Sequence, residues 1–169
     1  MSIAVFPGYQ VLKLGSHGST IRELQRDLNA RFQQLGIIDA VAVLVDGSFG
    51  PQTLNSIKYL QCIGGLPVNG AVEERTLDFI AKGILGLETL TAGSFGTGVL
   101  AVQQAILKSQ VRVSTDGHFG PLTERGVRIY QQKSGLVVDS VVGPKTWEWI
   151  VRSRLKDLPC IALLPDPYH

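Results

Sequence analysis

The sequence is poor in charge and in aromatic rings: 18% of its 169 residues are Asp, Glu, Lys or Arg, and 7% are Phe, Trp or Tyr. Lys and Arg number 16 against 14 Asp and Glu, a net of +2 with no basic block that could release many phosphate counterions. Nucleic acid is therefore not an expected partner. Long hydrophobic runs are missing as well. No stretch approaches the roughly 20 apolar residues of a membrane-spanning helix, and Met1 to Gly8 shows no basic segment ahead of an apolar one. Neither membrane insertion nor an export signal is expected. At 44% hydrophobic residues, long disordered tails and a coiled coil are ruled out, and one compact domain or two small ones fit the length.

Groups that carry chemistry are also scarce. The two cysteines, Cys62 and Cys160, lie far apart and outside any C-x-x-C spacing, so they are expected as free, buried thiols rather than a zinc site or a disulfide. His17, His118 and His169 share no ligand spacing with one another or with a carboxylate, so no metal and no cofactor is expected. No Ser stands in a G-x-S-x-G elbow, and no carboxylate pair presents itself as acid and base for glycoside cleavage. No catalytic residue is assigned, and the chain is not expected to be an enzyme.

Glycine and proline, by contrast, are plentiful at 19 and 8, and they recur in matching contexts. Asp46-Gly47-Ser48-Phe49-Gly50-Pro51-Gln52-Thr53 returns as Asp116-Gly117-His118-Phe119-Gly120-Pro121-Leu122-Thr123, with six identities in eight positions at an offset of 70. At that offset Gln61 meets Gln131, Gly65-Leu66 meets Gly135-Leu136, Thr76 meets Thr146 and Ile80 meets Ile150. Upstream, Gly15-Ser16, Gly18 and Gln25 match Gly93-Ser94, Gly96 and Gln103 at an offset of 78, so the first copy carries eight extra residues between Leu28 and Asp46. Those residues either lengthen the first helix or add an extended segment, which periodicity does not separate.

Each copy reads as three helices. In the first, Ile21, Leu24, Leu28 and Leu35 recur at helical intervals, and Thr20 with Glu23 forms a capping-box pattern. Gly50-Pro51 opens the second helix, because proline's missing N–H costs nothing at the first helical position. The third opens near Glu74 in copy one and at Pro144 in copy two. The expected fold is all-α, two tandem three-helix units covering residues 1–85 and 86–155, followed by a proline-rich tail at 156–169 that drapes across a unit without helical structure. The apolar connector from Lys82 to Leu90 is no flexible tether, so the units are expected to pack together. In the Asp-Gly-x-Phe-Gly blocks, Gly47 and Gly117 are assigned to turn geometry, Gly50 and Gly120 to a tight helix start, the Asp residues to Asx-turns, and Phe49 and Phe119 to the core.

These residues resemble the peptidoglycan-binding-like module found beside bacterial cell-wall hydrolases. Copy two carries nearly its whole pattern: Gly96, Val99, Val102, Gln103 and Ile106, then Asp116, Gly117, Phe119, Gly120, Thr123, Val127, Tyr130 and Gln131, then Gly135, Leu136, Asp139, Val142, Gly143, Thr146 and Trp147. Copy one departs in the third block, with Asn69 for Asp, Glu73 for Gly and Leu77 for Trp. The resemblance implies a non-catalytic anchor on peptidoglycan in the cell envelope or outside the cell, with copy two the better binder; the alternative is a protein-interaction module partnering a cell-wall hydrolase in trans. Reading amphipathic sugar faces and peptide carboxylates takes flat rings, polar partners and cations. The candidate ligand residues are Arg125 and Arg128, which share a face of the second helix, Trp149, Asp139, Tyr59, expected to be at least partly exposed, and Trp147, which also reads as core.

Overall fold

The computed structural model describes residues 11–37, 42–155 and 160. Its helices are α1 (Ser19–Gln34), α2 (Pro51–Ile63), α3 (Glu74–Lys82), a 3-10 turn at Gly83–Gly86, α4 (Thr97–Lys108), α5 (Pro121–Lys133) and α6 (Pro144–Arg154). The fold is all-α, two three-helix units in tandem. Pro51, Pro121 and Pro144 stand in the first turns of α2, α5 and α6, where the ring costs no hydrogen bond.

The helical spacing of Ile21, Leu24 and Leu28 puts them in the core together with Phe32, while Leu35 follows the end of α1 and packs partly buried against that core; the matching Val99, Val102 and Ile106 are buried in α4. Phe49 and Phe119 are buried too. The core runs unbroken through both units, and Leu87 and Leu90 of the connector belong to it. Four of the eight extra residues lengthen α1, which has 16 residues against 12 in α4. Beyond the helix, Val43 is held by Asn29 of α1, whose Nδ2 donates to the Val43 carbonyl at 2.9 Å and whose Oδ1 accepts from the Val43 N–H at 2.8 Å.

Three local expectations are corrected. The Thr20–Glu23 capping box does not form. Helix α1 begins at Ser19 behind Gly18, without a side-chain cap, because Gly18 at φ 120° is itself tied to the neighbouring loop by its N–H to the Gly47 carbonyl at 2.9 Å. Gly96 and Gly117 repeat this bond at 2.9 Å. Gly50 and Gly120 have ordinary extended backbone, φ −88° and −89°, so the tight helix start does not demand glycine there; the positive φ falls at Gly47 and Gly117. Cys62 and Cys160, expected as free thiols, form a disulfide with a Cα–Cα distance of 5.6 Å across 98 positions of sequence. Local spacing carries no information about that approach, which depends on how the chain returns over α2. The rest of the tail's expected course lies outside the described residues.

Candidate ligand-binding surface

The Asp-Gly loops owe their shape to buried glutamines. Gln103 Nε2 donates to Asp116 Oδ1 at 2.9 Å, to the His118 carbonyl at 3.0 Å and to Thr123 Oγ1 at 2.9 Å, while its Oε1 accepts the Gly117 N–H at 2.9 Å. Gln25 does the same for Asp46, Ser48, Thr53 and Gly47. Gln61 holds Asn69, Ala71, Thr76 and Gly70, and Gln131 holds Asp139, Val141, Thr146 and Ser140. The knot thus occurs four times, because each unit repeats its own loop 23 residues on: Asp46-Gly47 as Asn69-Gly70, and Asp116-Gly117 as Asp139-Ser140. This second, shorter repeat was readable in the Asx and Thr spacing. The glutamines that serve it stand at unequal distances, which conceals them.

The four loops are stitched to the segment that opens each unit. Leu12 and His17 make antiparallel bridges to Val72 and Ser48, and Leu90 and Phe95 make the matching bridges to Val142 and His118. Hydrogen bonds hold Asp46, Asp116 and Asp139 below the usual carboxylate range. For Asp46 the main cause is the Gln25 amide, followed by the Ser48 N–H; for Asp116 and Asp139 it is the N–H of His118 and Val141, followed by Gln103 and Gln131.

Among the candidate ligand residues, Trp147 is core, as its sequence position also read, and Tyr59, expected to be at least partly exposed, is corrected to buried. Trp147 is 2% exposed, and its Nε1 donates to the Glu88 carbonyl at 2.7 Å. Tyr59 is 1% exposed and donates its hydroxyl to the Leu155 carbonyl at 3.0 Å, because the end of the second unit covers the face of α2 that a lone unit would leave open. Asp139 is exposed, but its Oδ1 is committed to Gln131 at 2.8 Å and to the Val141 N–H at 2.9 Å, the role of an Asx-turn. Arg125 and Arg128 are exposed on α5, with Arg128 Nη1 3.5 Å from Ser140 Oγ, and Trp149 is 47% exposed on α6.

The residues missed by sequence reasoning lie at the seam between the units. There a cleft of about 430 Å³ opens between α3, the connector and the start of α4, with Trp147 at its floor and Phe95 and Leu85 on its rim. The Phe95 ring stacks on that of His118, with centroids 4.7 Å apart and planes at 27°. Arg75 faces Glu88 across the polar wall, Nη2 to Oε2 at 2.7 Å. Phe95 escaped notice because its counterpart in the first unit is His17.

Comparison with known proteins agrees with this architecture. The family described as "Putative peptidoglycan binding domain" matches residues 17–80 and 95–150, one segment in each unit and well over half of the chain. The chain belongs to this peptidoglycan-binding family and carries its module twice. It is 29% identical over 174 residues to N-acetylmuramoyl-L-alanine amidase CwlL of Bacillus licheniformis, covering 88% of this chain and 46% of that one. It is likewise 29% identical to a probable N-acetylmuramoyl-L-alanine amidase of the same organism, covering 80% and 43%. The chain spans less than half the length of either relative. A crystal structure of a peptidoglycan-binding protein from Clostridioides difficile, in complex with glutamine hydroxamate, is 32% identical over 39% of this chain and 42% of that chain, with a TM-score of 0.38.

Proposed function

We propose that the chain is a non-catalytic anchor that holds cell-wall chemistry against peptidoglycan through two modules, divided near residue 85. The family match to both units carries this reading. The buried polar side chains suit it. Gln25, Gln61, Gln103 and Gln131 are amides, neither acids nor nucleophiles, and each is spent on closing a loop. Similarity to two amidases favours a place beside such an enzyme, in the same polypeptide or in trans. The Cys62–Cys160 disulfide suits work outside the cytoplasm, where oxidised pairs persist. Arg125, Arg128 and Trp149 of the second unit supply exposed cations and a ring for a polymer of sugars and short acidic peptides. Two engaged modules raise avidity by on the order of 10² to 10⁴ over one.

Co-sedimentation of the purified chain with murein sacculi tests the reading. Retention at physiological salt without release of soluble muropeptides is the expected result. A chain that stays in the supernatant overturns binding, and released muropeptides overturn the non-catalytic assignment.

A further inference from the structure

Phe95 and Leu85 are 73% and 74% exposed, and both line the cleft at the seam. Scattered exposed apolar side chains need no explanation, but two on the rim of one cleft, one of them stacked on a second ring, form a surface. The Phe95–His118 pair is held from beneath. Phe119 N–H bonds the Ser94 carbonyl and Gly96 N–H bonds the Gly117 carbonyl, each at 2.9 Å, so the two backbones that carry the rings are locked together. The first unit has His17 and Ser48 at the matching positions and so lacks a ring pair. The facing wall is polar. Arg75 and Glu88 are paired there with both side chains more than half exposed, and Glu74 has no ion pair among the described residues. The bond from Trp147 Nε1 to the Glu88 carbonyl fixes that wall to the floor.

We propose that this cleft seats one N-acetylated sugar of peptidoglycan together with its stem peptide. The sugar's C–H face lies on the Phe95 ring, which His118 backs by stacking, and the peptide runs along α3. Arg75 takes a peptide carboxylate, while Glu74 and Glu88 accept from ammonium or amide N–H groups. An exposed ion pair such as Arg75–Glu88 is weak and exchanges readily for ligand contacts. A ring-sized apolar platform beside a wall carrying both signs of charge matches a sugar joined to a zwitterionic peptide. The cleft's volume falls in the range of small-ligand sites. The proposal rests on the peptidoglycan reading and adds a further place of contact, apart from Arg125, Arg128 and Trp149, at a position that only the tandem pair creates.

Calorimetric titration of the intact chain with a purified disaccharide–tetrapeptide, alongside the same disaccharide without peptide, tests it. Phe95→Ala is expected to weaken both ligands about tenfold, with Phe95→Trp restoring them. Arg75→Ala is expected to weaken only the peptide-bearing ligand. His118→Ala serves as a second platform variant, and circular dichroism checks that each variant is folded. If the variants bind as the parent does, or the parent is retained by sacculi yet ignores the fragment, the seam cleft is not the seat although the peptidoglycan reading stands. A parent that neither binds fragment nor sediments with sacculi removes the reading beneath it.

Discussion

Arg154, at the end of α6, donates two hydrogen bonds to the carbonyl of Cys62, near the end of α2, from Nε at 3.2 Å and from Nη2 at 2.9 Å. Its Nη1 donates to Gln104 Oε1 at 2.9 Å and to the Ala101 carbonyl at 3.4 Å. Arg154 is 6% exposed, and its guanidinium has no carboxylate partner among the described residues. Burial lowers its pKa below the usual value, yet an arginine stays charged, and the carbonyl end of α2 is a suitable place for a cation. One side chain of the second unit thereby closes the end of a helix in the first. Arg154→Met is expected to cost about 1–3 kcal/mol, the range for buried polar groups left without partners. Arg154→Lys should recover only part, since a single ammonium cannot span the three acceptors, the Cys62 and Ala101 carbonyls and Gln104 Oε1. Denaturant midpoints of the three proteins measure it.

The disulfide lies against the same arginine, whose Nη2 is 3.9 Å from Cys62 Sγ and 4.0 Å from Cys160 Sγ. Cross-linking residues 98 apart removes on the order of 4–5 kcal/mol of chain entropy from the unfolded state. Reduction, or Cys160→Ser, should therefore lower the melting temperature of the intact chain. An unchanged transition would mean that the pair adds nothing to stability.

A glutamine knot is worth more than one hydrogen bond. Gln103→Leu strips the Gly117 N–H of its partner and Thr123 Oγ1 of one of its two, at about 1–3 kcal/mol for a buried group left unpaired. Gln103→Glu also sets an acceptor against Asp116 and the His118 carbonyl, which now receive its N–H groups, and is expected to be at least as damaging. Chemical denaturation followed by Trp fluorescence reports both through the buried Trp147 of the same unit.

The loop carboxylates link stability to pH. Asp46, Asp116 and Asp139 titrate below their unfolded value of about 3.9. Their contribution is thus complete above that value and is lost as pH falls through the lower folded ones. Asn69 fills the equivalent place in the fourth knot and does not titrate. Acid unfolding should flatten in a variant with Asp46, Asp116 and Asp139 all changed to Asn, as measured by ellipticity between pH 5 and pH 1, the window over which such carboxylates protonate.

Matching glycines should respond unequally. Gly65 and Gly135 sit at φ 66° and 67°, so alanine strains both backbones by roughly 1–2 kcal/mol. At Gly65 an added Cβ would also fall 2.8 Å from the Ala101 Cβ and 3.3 Å from Trp147, whereas at Gly135 nothing lies within 4 Å. Gly65→Ala is expected to be the more destabilising by about 1–3 kcal/mol, the usual cost of overpacking. Equal melting temperatures for the two variants would contradict the close approach of the units.

Helix number, helix starts and the turn role of the Asp-Gly pairs were legible because each depends on residues within about ten positions of one another. Proline at the first turn, leucine at helical spacing and glycine at positive φ act locally. Tyr59 was harder to place, whereas Trp147 already read as core. A ring at the edge of one unit reads as available, and Tyr59 becomes core only when Leu155, just past the end of α6, lies over it.

The sequence by itself determined the duplication, the three helices in each copy and the family to which they belong. Tertiary structure alone decided what the duplication makes: the Arg154–Cys62 bond across 92 positions, the disulfide, and the cleft with Phe95 on its rim, backed by His118. Periodicity and turn chemistry act over a few residues, whereas these features arise where two folded surfaces meet, and no local pattern encodes how rigid units are placed against each other.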